Sequence, residues 1–163
     1  MNTFLDIIFN TKKILYSSSY DFKKSLDLIC KLLKNELPHF DWVGFYFANH
    51  KKKELTLESY AGVSTDHTKI SFGKGICGQV ANSNKNFIVP NVNTQENYIS
   101  CNINVKSEVV VPIFLNGSNI GQIDVDSNLI DPFSEKDIEL LESIAKLVST
   151  KMKKNKIIMY ELN

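Results

Sequence analysis

The sequence predicts an α+β domain, a largely antiparallel sheet with helices gathered on one face and a loop-covered ligand pocket on the other. Three observations predict it. An amphipathic helical stripe precedes any strand signal, two pairs of β-rich runs each flank a polar turn, and a capped helix closes the pattern. The 163 residues suffice for one domain over 1–163. Its core is expected at about 20–150, with an N-terminal helical segment at 1–19 and a C-terminal tail at 151–163.

Met1 to Leu15 reads as a first amphipathic helix. From Asp21 to Leu37 the signal is stronger, because Phe22, Leu26, Ile29 and Leu33 recur at three- and four-residue steps and Pro38 ends the run. Cys30 adjoins that stripe and reads as a packed core thiol. Asp41–Ala48 and Glu54–Tyr60 form a hairpin around Asn49 to Lys53, whose three lysines read as a solvated turn. A glycine-rich turn from Ser71 to Gly78 leads into a short helix through Asn82. Phe87–Val89 is a brief strand ended by Pro90, and the polar loop from Asn91 to Lys106 carries Cys101. Glu108–Leu115 and Ile120–Val125 form a second hairpin through Asn116-Gly117-Ser118-Asn119. The last helix opens at Ser134, with Asp137 placed as in a capping box, and buries Ile138, Leu141, Ala145 and Val148. Its lysine-rich end suits a helix C-terminus. The connecting segments 61–86 and 90–107 are left to roof the second face of the sheet, which makes a pocket.

Composition excludes several classes. A net charge of +1 and the absence of any arginine argue against nucleic acid and against an anionic membrane surface. No run approaches the roughly 18 apolar residues of a membrane span, and Asp6 interrupts an N-terminus that lacks a basic leader. Three widely spaced cysteines do not make a secreted disulfide framework, so the cytoplasm is the expected compartment. His39, His50 and His67 show none of the close spacings of a zinc site, so no metal is expected. Gly73-Lys74-Gly75 lacks the spacing of a phosphate loop, there is no Gly-x-Ser-x-Gly elbow, and no cofactor is implied.

The chemistry-bearing residues leave open alternatives. Cys77 follows Gly73-Lys74-Gly75 at a helix start, where a thiolate is favoured, yet it also suits a small packing residue. Cys101 lies in a polar loop with no apolar periodicity, which fits a functional thiol or an accidental exposed one. Glu108 opens an otherwise apolar strand and points either to the covered face or to solvent. Asp124 and Asp126 alternate with Val125, so both share one strand face about 7 Å apart. They are either a solvated strand end or a site that grips an ammonium or holds a proton ready.

From about Phe22 to Val148 the chain resembles GAF domains, through Gly73-x-Gly75-Ile76-Cys77-Gly78, Val89-Pro90-Asn91-Val92, Lys106 to Pro112, Gly121 to Asp124 and Phe133-Ser134-x-x-Asp137. A narrower set resembles the free methionine-(R)-sulfoxide reductases: Asp41 to Tyr46, Gly75 to Gly78, Ile99-Ser100-Cys101, Ser107-Glu108 and Asp124 to Ser127. The resemblance implies Cys101 as nucleophile and Cys77 as the second thiol, with free methionine sulfoxide as substrate. Glu108, Asp124 and Asp126 would bind it and protonate its oxygen, and Trp42 and Tyr46 would line the pocket. It also implies a thioredoxin-like reductant and a homodimer through the terminal helices. The sequence departs from that family at His67, where many members carry a cysteine, and at Asn97-Tyr98, where a Gly-His pair is common. The alternative is a non-catalytic GAF sensor for a small metabolite or redox signal. Phe133 to Asp137 resembles part of a cyclic-nucleotide signature, but Ile138 replaces its final glutamate.

Overall fold

The amphipathic stripes become four helices packed on a six-stranded sheet in the computed structural model, which describes residues 3–99 and 102–160. Within them the helices are α1 (Thr3–Tyr16), α2 (Phe22–Glu36), α3 (Gly75–Ser83) and α4 (Glu135–Asn155). The strands are β1 (Trp42–Asn49), β2 (Glu54–Ala61), β3 (Lys69–Ser71), β4 (Phe87–Val89), β5 (Ser107–Leu115) and β6 (Ser118–Ser127). Their order across the sheet is β3-β2-β1-β6-β5-β4, with every neighbouring pair antiparallel.

The helix ends have identifiable causes. Asp21 caps α2 by accepting from the Lys24 N–H, which satisfies one of the donors a helix start leaves unpaired. Ser134 and Asp137 form a reciprocal capping box on α4. Asp137 Oδ1 also lies 3.0 Å from His39 Nε2, tying that helix to the turn before β1.

Period-two alternation divides the sheet into two buried faces. Val43, Phe45 and Phe47 of β1, Val109 and Val111 of β5, and Ile123 and Val125 of β6 pack with α1, α2 and α4 in one core. The opposite residues, Trp42, Tyr46, Ala48 and Val110, pack with Ile76, Cys77 and Val80 of α3 in a second. The 61–86 connection is therefore more than loop. It contributes β3, whose Lys69–Ser71 pairs with Thr56–Glu54, and it lays α3 over the second face. β3 escaped the sequence reading because three residues are too short for alternation to register. Among the described residues, no helix is long and apolar enough to cross a membrane.

Candidate active site

The second face of the sheet is where the acidic side chains gather. Because Ile123 and Val125 point into the helical core, Gln122, Asp124 and Asp126 must point the other way. Strand register then sets Asp126 opposite both Trp42 and Glu108, Asp124 opposite Gly44 and Val110, and Gln122 opposite Tyr46 and Pro112. All three carboxyl side chains are buried, with Glu108 5% exposed and Asp124 and Asp126 1%. Of the two directions open to Glu108, it takes the covered one.

Above the acids sits the first turn of α3. Gly75 adopts φ +61°, a left-handed backbone that glycine tolerates, and this bend turns the chain into the helix. Gly78 allows that helix to press against the preceding turn, since a β-carbon there would collide with the Ser71 carbonyl. The result brings Cys77 down onto the sheet, buried, with its thiol donating to Glu108 Oε1 at 3.9 Å. Cys77, Glu108 and Asp124 each place one donor atom within 4.8 Å of the other two. Cys77 is thus both a packing residue and a polar contact of the acids.

Two residues that sequence reasoning left without a role hold this turn. Asn97 accepts from the Gly75 N–H at 2.9 Å and donates to the Gly73 carbonyl at 2.8 Å. Gln79 donates to the Gly75 carbonyl at 3.0 Å and to the Asn97 carbonyl at 3.1 Å. The segment after β4 is thereby fastened to the start of α3. Asn97 had been visible only as a departure from the family pattern.

An aromatic wall borders the acids on β1. The Trp42 indole lies across Gly44, where any β-carbon would overlap it. It stacks on Tyr60 at 5.7 Å and 17°, meets Tyr46 at 6.4 Å, and donates from Nε1 to the Val63 carbonyl at 3.1 Å. Tyr46 is fully buried and donates its hydroxyl to the His67 carbonyl at 2.8 Å.

Two cavities touch the cluster. A small one of about 10 Å³, room for roughly one water-sized group, is lined by His67, Cys77, Ile99, Glu108 and Asp124 among others. A larger one of about 440 Å³ opens beside Trp42, Asp126, Asp41, Val63, Asn102 and Asn128. Cys101, which the family resemblance implies as the nucleophile, lies outside the described residues; Ile99 and Asn102 on either side line the small and the large cavity respectively.

The electrostatics follow from burial. Desolvation lifts the Glu108 carboxyl well above the usual carboxylate range, and the nearby Asp124 and Asp126 charges lift it further. Asp126 is raised by burial and by Asp124 and Asp41. Asp124 rises less, from 3.8 to about 6, because hydrogen bonds from Cys77 and Glu108 favour its charged form against the burial that opposes it. The arrangement is one carboxyl that ionises near about 6 beside two whose protonated forms burial favours, with a thiol in contact. It is suited to donating a proton to an oxygen on a bound molecule. Asp124 Oδ1, Asp126 Oδ2 and both polar atoms of the buried Gln122 have no hydrogen-bond partner among the described residues. Gln122 was within reach of the sequence, since it stands two residues before Asp124 on the same strand face.

Known proteins share this architecture. A family model described as GAF domain matches residues 19–152. The chain is 37% identical over 124 residues to the free methionine-R-sulfoxide reductase of Saccharomyces cerevisiae, covering 75% of this chain and 68% of that protein. It is 38% identical to GAF domain-containing protein A of Dictyostelium discoideum, over 68% of each. Among solved structures, the free methionine-R-sulfoxide reductase of Neisseria meningitidis in complex with its substrate superimposes with TM-score 0.86 at 29% identity, covering 94% of this chain and 90% of that one. The substrate complex of the Staphylococcus aureus protein fRMsr gives TM-score 0.81 at 30% identity, covering 91% and 95%.

Proposed function

The chain belongs to the GAF-domain family, among its free methionine-R-sulfoxide reductases, and from that premise we propose that it reduces free methionine-(R)-sulfoxide to methionine through a thiol at Cys101. The observation that carries the proposal is the buried group of Glu108, Asp124 and Asp126 with Cys77 in contact, beneath an aromatic wall.

In this reading the substrate's ammonium is held by carboxylate charge, that of Asp124 first, since Asp124 is the most readily ionised of the three. Trp42 and Tyr46 give the methyl sulfoxide end an apolar surface. Glu108 donates its proton to the sulfoxide oxygen as the Cys101 thiolate attacks sulfur. The protonated oxygen then moves from the substrate sulfur to the Cys101 sulfur. The substrate S–O bond and the transient sulfur–sulfur bond break, methionine leaves with the electron pair, and Cys101 is left as a sulfenic acid. The Cys77 thiol then displaces that oxygen as water and forms a Cys77–Cys101 disulfide. A thioredoxin-like dithiol reduces the disulfide by exchange and is itself oxidised. Such a cycle requires a reducing compartment, the cytoplasm in our reading, and the exposed Leu5 and Phe9 of α1 offer an apolar contact for a homodimer through the terminal helices.

The test supplies dithiothreitol with each methionine sulfoxide diastereomer and quantifies free methionine. Turnover of the R form alone, abolished in Cys101→Ser, supports the proposal. No turnover, or turnover undiminished in that variant, rejects it. One observation favours a second reading, a non-catalytic GAF sensor: the small cavity is lined by His67, where many reductases carry a cysteine. Saturable binding of the R sulfoxide without turnover would select it.

A further inference from the structure

We propose that Cys77, Glu108 and Asp124 together form a binding site for a single divalent transition-metal cation of the zinc type. No pair of these residues has zinc-motif spacing, because they come from α3, β5 and β6. The fold alone assembles them.

Geometry comes first. One donor atom from each residue lies within 4.8 Å of the other two, and Cys77 Sγ and Glu108 Oε1 are 3.9 Å apart. A tetrahedral ion with zinc–sulfur near 2.3 Å and zinc–oxygen near 2.0 Å sets its sulfur and oxygen ligands roughly 3.5 Å apart. A closure of about 0.4 Å brings that sulfur–oxygen pair to ligand spacing, and Asp124 lies within 4.8 Å of both. The space fits as well, since the cavity these residues line accepts about one small group, at about 10 Å³.

A second observation points to a ligand. Asp124 is 1% exposed, lines that cavity, and its Oδ1 has no hydrogen-bond partner among the described residues. Buried polar atoms are nearly always satisfied, so an unpartnered oxygen on a residue that lines a one-group space points to a ligand. The donor set then selects the metal. A thiolate beside two carboxylates disfavours magnesium and calcium, which take oxygen ligands only, and suits zinc or cobalt. His67 lines the same cavity and is the residue type zinc accepts as a further ligand.

Loading is a proton-for-metal exchange with no change of oxidation state. The Cys77 S–H and any carboxyl O–H proton leave to solvent as S–metal and O–metal bonds form. Because the ion takes up Cys77 and Glu108, the loaded protein is blocked for any chemistry those groups perform. The site needs neither Cys101 nor a substrate, so it stands or falls apart from the reductase reading.

Cobalt(II) is the probe, titrated into the reduced full chain under argon, with zinc as competitor. A one-to-one thiolate-to-cobalt charge-transfer band, displaced by zinc, is expected in the natural protein and unchanged in Cys101→Ser. The band should vanish in Cys77→Ser, and Asp124→Asn should weaken cobalt binding at least about tenfold. Absence of the band in the natural protein, its loss in Cys101→Ser or its survival in Cys77→Ser each overturns the assignment. Circular dichroism of the variants separates loss of a ligand from loss of fold, and the Cys101→Ser arm tests the ligand set even should Cys77→Ser not fold.

Discussion

The Cys77 thiol donates to Glu108 Oε1 at 3.9 Å, joining the first turn of α3 to the start of β5 across 31 positions of sequence. Through that contact the acid group and a thiol share one buried space, and the behaviour of each depends on the other.

Glu108→Gln keeps the size and the hydrogen-bonding capacity of the side chain but removes its proton. If Glu108 is the acid, kcat for R-sulfoxide reduction should fall at least about 100-fold. The KM should change far less if, as proposed, substrate charge recognition falls mainly to Asp124. Steady-state kinetics with dithiothreitol gives both values, and a variant as fast as the parent removes Glu108 from the proton-transfer step.

Asp124 links stability to pH. Its carboxyl is held up to about 6 in the folded protein against 3.8 for the free group, so the folded state keeps a proton that the unfolded chain releases. That stabilisation is complete below 3.8 and is lost as pH rises through about 6. Asp124→Asn should therefore gain stability relative to the parent between pH 4 and 7, by at most about 3 kcal/mol. Urea denaturation across that range measures it; a difference that shrinks with rising pH contradicts the assignment.

Gly44→Ala puts a methyl group where the Trp42 indole lies. The ring must leave Tyr60, at a cost of about 1–3 kcal/mol. Trp42 is the only tryptophan of the chain, so its fluorescence reports the displacement directly. The emission should move to the red and the denaturation midpoint should drop. An unshifted spectrum means the indole is not confined by that glycine.

Asn97→Ala deletes the two bonds by which the Asn97 side chain fastens the Gly73–Gly75 turn. A loss of about 1–3 kcal/mol is expected, together with faster alkylation of the buried Cys77 as the start of α3 loosens. Mass spectrometry of timed alkylation reads the second effect. Equal rates in parent and variant would show that the clamp does not control access.

Cys77→Ser separates the two thiol roles. With dithiothreitol, which attacks a sulfenic acid directly, turnover should persist; with thioredoxin it should fall about tenfold or more, because no disulfide forms for exchange. Full recycling by thioredoxin would leave Cys77 a purely structural residue.

Much of this was legible along the chain because the signals are local. The stripe of Leu26, Ile29 and Leu33 makes α2 amphipathic whatever surrounds it, and Ser134 with Asp137 caps α4 within one turn. Alternation alone puts Asp124 and Asp126 on one strand face. The side to which that face turns depends on what packs against the sheet, and only tertiary structure decided it. α3 covers the acids and takes them from water, which is why their carboxyls are pushed above the range of a solvated strand end. The Asn97 clamp, the short strand β3 and the meeting of Cys77 with Glu108 and Asp124 likewise join residues distant in sequence. Their contacts follow from the path of the chain in space, so no local pattern could encode them.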